Sequence, residues 1–143
     1  MNTMKVHMSD REITVEPFPQ DKLLGGRAMV DYLMTEHVSP SVHPLSGENI
    51  FIVAPGLLAG TSAPSSGRLS IGGKSPLTGG IKEANVGGTV GNKLGKLGIQ
   101  AIMVEGRAQD WQVWRWAGRC CDRKGSLTSK RASGPVPIDF RTG

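Results

Sequence analysis

The sequence predicts an α+β fold: antiparallel β strands, one long helix and a short second helix. Three observations carry this. Six apolar residues repeat at helical spacing between Leu23 and Met34. Two apolar runs of strand length, Asn49–Ala54 and Ala101–Glu105, lie far apart in the chain. Between them the chain is glycine-rich yet keeps embedding segments with secondary-structure character, as a linker would not.

The elements follow in order. Met4–His7 and Glu12–Glu16 alternate loosely around the turn-prone Ser9-Asp10-Arg11, which reads as a hairpin closed by Pro17 and Pro19. Asp21 is expected to open the long helix, its acid suited to the positive helix end. Leu23, Leu24, Met29, Val30, Leu33 and Met34 form the apolar stripe, and Val38-Ser39-Pro40 ends it. Gly25-Gly26 lies inside that helix or breaks its first turn, at about 1 kcal/mol per glycine, which points to a packing or ligand reason. Asn49–Ala54 reads as a strand buried on both faces. Arg68–Ile71 reads as a strand, Thr89–Leu97 as the short helix, and Ala101–Glu105 and Trp111–Trp116 as further strands.

Composition narrows the function. The chain has 143 residues and is 38% hydrophobic, enough for one core. No stretch is apolar enough to span a bilayer, and the polar N-terminus lacks a signal peptide's apolar segment, so a cytoplasmic protein without a membrane partner is expected. The net charge of +5 is unevenly placed: residues 1–114 carry ten Lys/Arg and ten Asp/Glu, and residues 115–143 carry seven against two. A basic body built to hold nucleic acid is therefore disfavoured. Residues 115–143 have no periodicity and read as a disordered basic tail, with residues 1–114 as the folded part.

Several signatures fail. No G-x-G occurs, which removes the dinucleotide fingerprint. Gly73-Lys74-Ser75 looks like the end of a phosphate loop, but Arg68 stands where its first glycine is needed and Pro76 blocks the following helix. His7, His37 and His43 lack zinc-type spacing and read as surface or capping histidines. Cys120 and Cys121 are adjacent and supply neither a disulfide framework nor a spaced metal site. Trp111, Trp114 and Trp116 read as strand residues at an interface rather than base-stacking groups.

The glycine-rich segment is informative. Thirteen of the 20 glycines lie between Gly56 and Gly106. The stretches Pro55–Arg68, Lys74–Gly80 and Ala84–Gly88 resemble, in order, the Gly-Pro-Leu-Thr-Gly-Thr-Ser-Ala-Pro-Thr-x-Gly-Arg, Thr-Lys-Ser-Pro-Leu-Thr-Gly and Asn-Ser-Gly-Gly segments of the tungsten-containing aldehyde ferredoxin oxidoreductases. Leu24–Arg27 is similar to that family's Leu-Gly-Gly-Arg-Gly, Pro44–Asn49 to its Pro-Leu-Ser-Pro-Glu-Asn, and Leu97–Ala108 to its Ala-Gly-Tyr-Asp-Ala-Ile-Val-Val-Glu-Gly-Lys-Ala. The resemblance covers about residues 10–114 with almost no gaps.

The resemblance implies one half of the duplicated N-terminal domain of that family, the base on which a tungsten bis-pyranopterin (molybdopterin-type) cofactor lies. The pterin dithiolenes hold the metal, so no protein ligand to tungsten is implied. Arg68 matches the arginine that bridges the pterin and a neighbouring [4Fe–4S] cluster, and a guanidinium fork suits that role. Asn85 matches the asparagine whose main-chain carbonyl helps hold a magnesium ion between the pterin phosphates, and Gly87 falls where the family backbone touches the cofactor. From the residues alone, Arg68 also reads as a surface ion pair, Asn85 as a turn residue, and Arg27 as a cap or ion-pairing residue near the helix. By the same resemblance the parent reaction oxidises an aldehyde to a carboxylic acid and passes electrons to ferredoxin.

Departures set expectations too. The second repeat, the cluster cysteines and the substrate-pocket residues of the family are not in this sequence, and Cys120-Cys121 cannot replace four spaced thiolates. Val86 replaces a serine, and Met4–Asp10 diverges from the family's first strand. Residues from about 115 onward are expected to be unrelated to the family, as after a shifted reading frame or truncation. Two alternatives remain: a non-catalytic pterin-binding subunit completed by a second chain or missing domains, and an inactive fragment whose basic tail binds nucleic acid.

Overall fold

The computed structural model describes residues 1–19 and 22–109, together with the backbone of 112–117 and 126–131. In chain order the elements are β1 (Asn2–His7), β2 (Glu12–Pro17), α1 (Arg27–His37), β3 (Phe51–Pro55), β4 (Leu69–Lys74), β5 (Ile81–Val86), α2 (Thr89–Lys96), β6 (Ile99–Glu105), β7 (Gln112–Ala117) and β8 (Ser126–Arg131). The first six strands form one sheet in the order β2-β1-β6-β3-β4-β5.

The α+β class with one long and one short helix is as expected, and the sheet, largely antiparallel, is mixed by one parallel pair. β1 runs parallel to β6, with Met4 opposite Ile102 and Val6 opposite Val104, while the other neighbours in the sheet are antiparallel. The reason is topological. The two helices carry the chain across the sheet between hairpins, so β6 returns to the centre beside the first strand.

Strand alternation divides the core in two. Ile52 and Ala54 of β3 and Ala101 and Met103 of β6 face Met29, Val30, Leu33 and Met34 of α1. Val53, Ile102 and Val104 point the other way, toward Met4, Val6, Ile99 and Leu94 of α2. Each large apolar side chain fully buried in this way contributes about 1.5–3 kcal/mol, so the central strands hold both helices to the sheet. β3 is thus covered on both faces, as its unbroken apolar run predicts.

The long helix runs from Arg27 and residues 22–26 before it are not helical, while Asp21, expected to open it, lies outside the described residues. Gly26 precedes it at φ 57°, a left-handed conformation that ends helical geometry toward the N-terminus. A β-carbon on Gly25 would stand 2.5 Å from the Leu57 nitrogen, so this pair of glycines brings two backbones together. Leu23 is correspondingly exposed and outside the helical stripe. At the other end α1 stops at His37 with Val38 extended, just ahead of Ser39, which Pro40 keeps out of the helical region.

β5 has no counterpart among the sequence expectations. It pairs with β4 and lies at the sheet edge. The segment between them, Ser75–Gly80, is a tight connection in which the Ser75 N–H donates to the Gly80 carbonyl (2.8 Å) and the Ser75 Oγ accepts from the Leu77 and Thr78 N–H groups.

β7 and β8 form a separate two-stranded antiparallel sheet, Trp114 opposite Ser129. Residues 126–131, part of the stretch that reads as patternless, therefore have strand backbone geometry. Trp111, residues 118–125 with Cys120 and Cys121, and residues 132–143 lie outside the described residues.

Candidate functional site

The sequence-derived candidates Arg68, Asn85 and Gly87 meet at one corner of the sheet. Arg68 immediately precedes β4, Asn85 lies near the end of β5, and Gly87 follows β5. Antiparallel pairing sets Asn85 opposite Ser70, two residues past Arg68. The Arg68 Nε–H donates to the Asn85 Oδ1, and a β-carbon on Gly87 would stand 3.8 Å from the Arg68 Nη1.

The amino end of α2 opens at the same corner. Gly88 is its N-cap, at φ 132°, and no side chain caps the helix. The first turn contains no acid. The positive end of the helix therefore lies beside Gly87, itself next to the Arg68 guanidinium. A β-carbon on Gly88 would meet nothing within 4 Å, so space stands open above this backbone.

Much of the surrounding glycine content serves intramolecular packing, not an open face. β-carbons on Gly91 and Gly95 of α2 would stand 2.6 and 1.9 Å from the carbonyl oxygens of Gly67 and Ala59. The Asn92 Oδ1 accepts from the Gly60 N–H at 3.1 Å, fastening the same loop. The glycines place α2 against residues 56–68, and that packing aims the helix end at the Arg68 corner.

A second layer lies beneath Asn85. Ser70 is fully buried, and its Oγ accepts from the Asn85 Nδ2 at 3.2 Å. Glu83, on the same face of β5 as Asn85, receives the Arg27 Nε and Nη2 on its Oε2 at 3.1 and 3.0 Å. Arg27 thus joins the first turn of α1 to β5, a pairing across elements rather than within the helix. The Glu83 side chain is 8% exposed against 72% for Arg27. Its carboxyl is held below the ordinary carboxylate range, first by the Ser70 hydroxyl and then, against the opposing effect of desolvation, by Arg27 and Asn85. Sequence reasoning missed Glu83: a lone acid in a polar edge strand carries no periodic or motif signal.

Other candidates lie elsewhere. His7 pairs with Glu105 at 2.6 Å across β1 and β6, and the His43 Nδ1 accepts from the Leu45 N–H in a local turn. Lys74, in the stretch resembling a phosphate loop, donates to the Pro40 carbonyl. Among the described residues no group of three or more His, Cys, Asp or Glu could hold a metal ion.

Comparison with known proteins adds identity to this geometry. Residues 3–115 match the family described as aldehyde ferredoxin oxidoreductase, N-terminal domain. The tungsten-containing aldehyde ferredoxin oxidoreductase of Pyrococcus furiosus is 45% identical over 109 residues, and that of Thermococcus kodakarensis 41%. Each match takes in 74% of this chain and 18% of the relative, so the chain spans under a fifth of the length of these proteins. A solved structure, the active site complex BamBC of benzoyl coenzyme A reductase with 1,5-dienoyl-CoA, superposes with a TM-score of 0.74 and 28% identity over 79% of this chain and 18% of that one.

Proposed function

Since the chain belongs to the aldehyde ferredoxin oxidoreductase N-terminal domain family, we propose that its Arg68–Gly87 corner is one side of a seat for a tungsten bis-pyranopterin. The observation that carries this is the convergence of the Arg68 guanidinium, the open glycine backbone at Gly87-Gly88 and the uncapped amino end of α2. Both charges are positive and the backbone is bare, which suits the phosphates of a pyranopterin.

The residues present fit that group. Arg68 would bind and orient the pterin, with its Nε already committed to Asn85 and the rest of the fork available. Gly87 would let the main chain approach closely. Asn85 would offer its main-chain carbonyl to a magnesium ion, a hard cation suited to oxygen ligands, while its side chain steadies Arg68. When bound, the tungsten centre supplies oxidation of an aldehyde to a carboxylic acid, with ferredoxin as electron acceptor in the assembled enzyme. The iron–sulfur cluster does not fit this sequence, whose only two cysteines are adjacent.

The short span relative to the relatives favours a seat completed by further domains or a partner chain. Catalysis then belongs to the assembly, and this chain contributes binding and orientation.

The test is expression of the full chain in a host making pyranopterin, supplied with tungstate, with and without a polypeptide carrying the remainder of a relative. Tungsten and pterin are measured after size exclusion. Co-elution of both with the protein in either sample, reduced about tenfold or more in R68A, is the expected result. No pterin in either sample, or equal content in R68A, overturns the reading.

A further inference from the structure

We infer that Ser70 is a positioning residue that holds Arg68 in place through the side-chain amide of Asn85. The purpose of this tether rests on the cofactor reading; its geometry does not.

The tether follows from how β4 and β5 pair. The Arg68 carbonyl accepts from the Gly56 N–H at 3.0 Å, on the side away from β5. At the far end of β4 the Lys74 N–H and carbonyl are both bonded to the Asn49 side chain, again away from β5. Main-chain groups along a strand point to alternate sides, so those of Arg68, Ser70, Gly72 and Lys74 all turn from β5. Ser70 stands opposite Asn85, and the two therefore form a non-hydrogen-bonded pair, the kind in which side chains come closest. Their side chains do meet: the Asn85 Nδ2 donates to the Ser70 Oγ at 3.2 Å. By the same alternation the Asn85 main-chain N–H and carbonyl face the open edge of the sheet.

Donor chemistry fixes which end of the amide faces which partner. The Arg68 Nε–H can only donate, so it takes the Asn85 Oδ1. The Nδ2 is left for Ser70, whose oxygen accepts. The two ends differ in burial. Arg68 and Asn85 are exposed, whereas Ser70 is fully buried. The turn into α1 roofs it: a β-carbon on Gly26 would stand 3.5 Å from the Ser70 Oγ. An exposed asparagine bonded only to an arginine exchanges that bond readily for water. Anchored on a hydroxyl sealed from water, the amide is held in one orientation, with its Oδ1 toward Arg68.

One residue thus serves two ends. The Asn85 side chain fixes the guanidinium while its carbonyl stays free at the strand edge. The spacing between cation and carbonyl is set by buried Ser70 rather than by either exposed group.

The test uses the full chain, labelled with nitrogen-15, and reads the hydrogen-exchange rate of the Arg68 Nε–H, assigned by its loss in R68K. S70A is expected to speed this exchange about fivefold or more, the loss of about one hydrogen bond's protection. In N85D either carboxylate oxygen can accept, so the orientation of the group no longer matters. In that background S70A is expected to change the rate by less than about twofold. The Ala84 amide, opposite Ile71 and turned toward β4, reports the strand pairing itself and is expected to be unaltered by S70A. Unchanged Arg68 exchange in S70A, the same acceleration in the N85D background, or equal acceleration at Ala84 overturns the proposal. Should S70A not fold, the wild type decides. Its Asn85 Nδ2 protons are expected to exchange about fivefold or more slower than those of a free asparagine amide, and exchange at the free rate overturns the proposal. Magnesium pyrophosphate added to the wild type is a separate arm: if the Gly87–Thr89 amide signals do not shift, the cofactor seat fails while the tether result stands.

Discussion

Gly95 approaches Ala59 so closely that a β-carbon on it would lie 1.9 Å from the Ala59 carbonyl oxygen. The contact is backbone to backbone, so no side chain can swing aside. Alanine normally favours a helix interior over glycine by about 1 kcal/mol. Here Gly95→Ala is expected to lower stability instead, by about 1–3 kcal/mol, because α2 must move off residues 59–60. Urea unfolding of the two proteins checks this; an increase in stability would show that the loop yields freely.

Gly72 gives a contrasting case. Its β-carbon would stand 2.3 Å from the Val30 Cγ1, and 3.1 Å from the Lys82 oxygen. The closer obstacle is a side chain. Gly72→Ala is expected to destabilise by about 1–3 kcal/mol, and Val30→Ala alone by about 2 kcal/mol as a core truncation. The double variant is expected to be more stable than the sum of the two, with a coupling of about 0.5 kcal/mol or more, measured by a double-mutant cycle. Simple additivity would place the strain elsewhere.

Asn49 ties the segment after α1 to the end of β4. Its Nδ2 donates to the Pro44 carbonyl (2.7 Å) and the Lys74 carbonyl (3.1 Å), and its Oδ1 accepts from the Lys74 N–H (3.1 Å). Asn49→Ala removes all three and is expected to cost about 2 kcal/mol. Asn49→Asp keeps only the accepting oxygen and is expected to fall short of full rescue. Thermal unfolding of both variants decides it.

Acid should act through Glu83. Its folded-state carboxyl binds a proton less readily than the ordinary value of 4.5, so the unfolded chain binds more protons in that range. The contribution is complete above about that value and is lost as pH falls through the lower folded value. Stability measured from pH 6 downward is expected to decline less steeply in E83Q than in the wild type. Parallel curves would mean that Glu83 titrates alike in both states.

Much of the fold and one part of the site could be read in advance. The α1 stripe, the two central strands and α2 each carry a local signal, in periodicity or in an unbroken apolar run. Family resemblance singled out Arg68, Asn85 and Gly87, and these three do converge. What was not legible depends on neighbours. Ile81–Val86 is half polar, does not alternate cleanly and is mostly exposed, because an edge strand needs only one hydrogen-bonded partner and can show its outer side to water. The start of α1 moved because the Gly25-Gly26 backbone is fixed by the approach of Leu57, thirty-odd residues away. The parallel pairing of β1 with β6 leaves no mark on either strand, since alternation is the same for both directions. Glu83 was invisible for a related reason: its meaning lies in Ser70 and Arg27, both distant in sequence.

The place of β1 bears on how the chain is made. Made ahead of β6, it can pair with β2 at once, but its other edge waits for β6, roughly a hundred residues later. At about 5–20 residues per second on the ribosome, that is on the order of 5–20 s during which the β1–β2 hairpin, with Met4 and Val6 on one face, is open to passing chains. A nascent-chain chaperone would be felt most by this hairpin, well before any cofactor could matter.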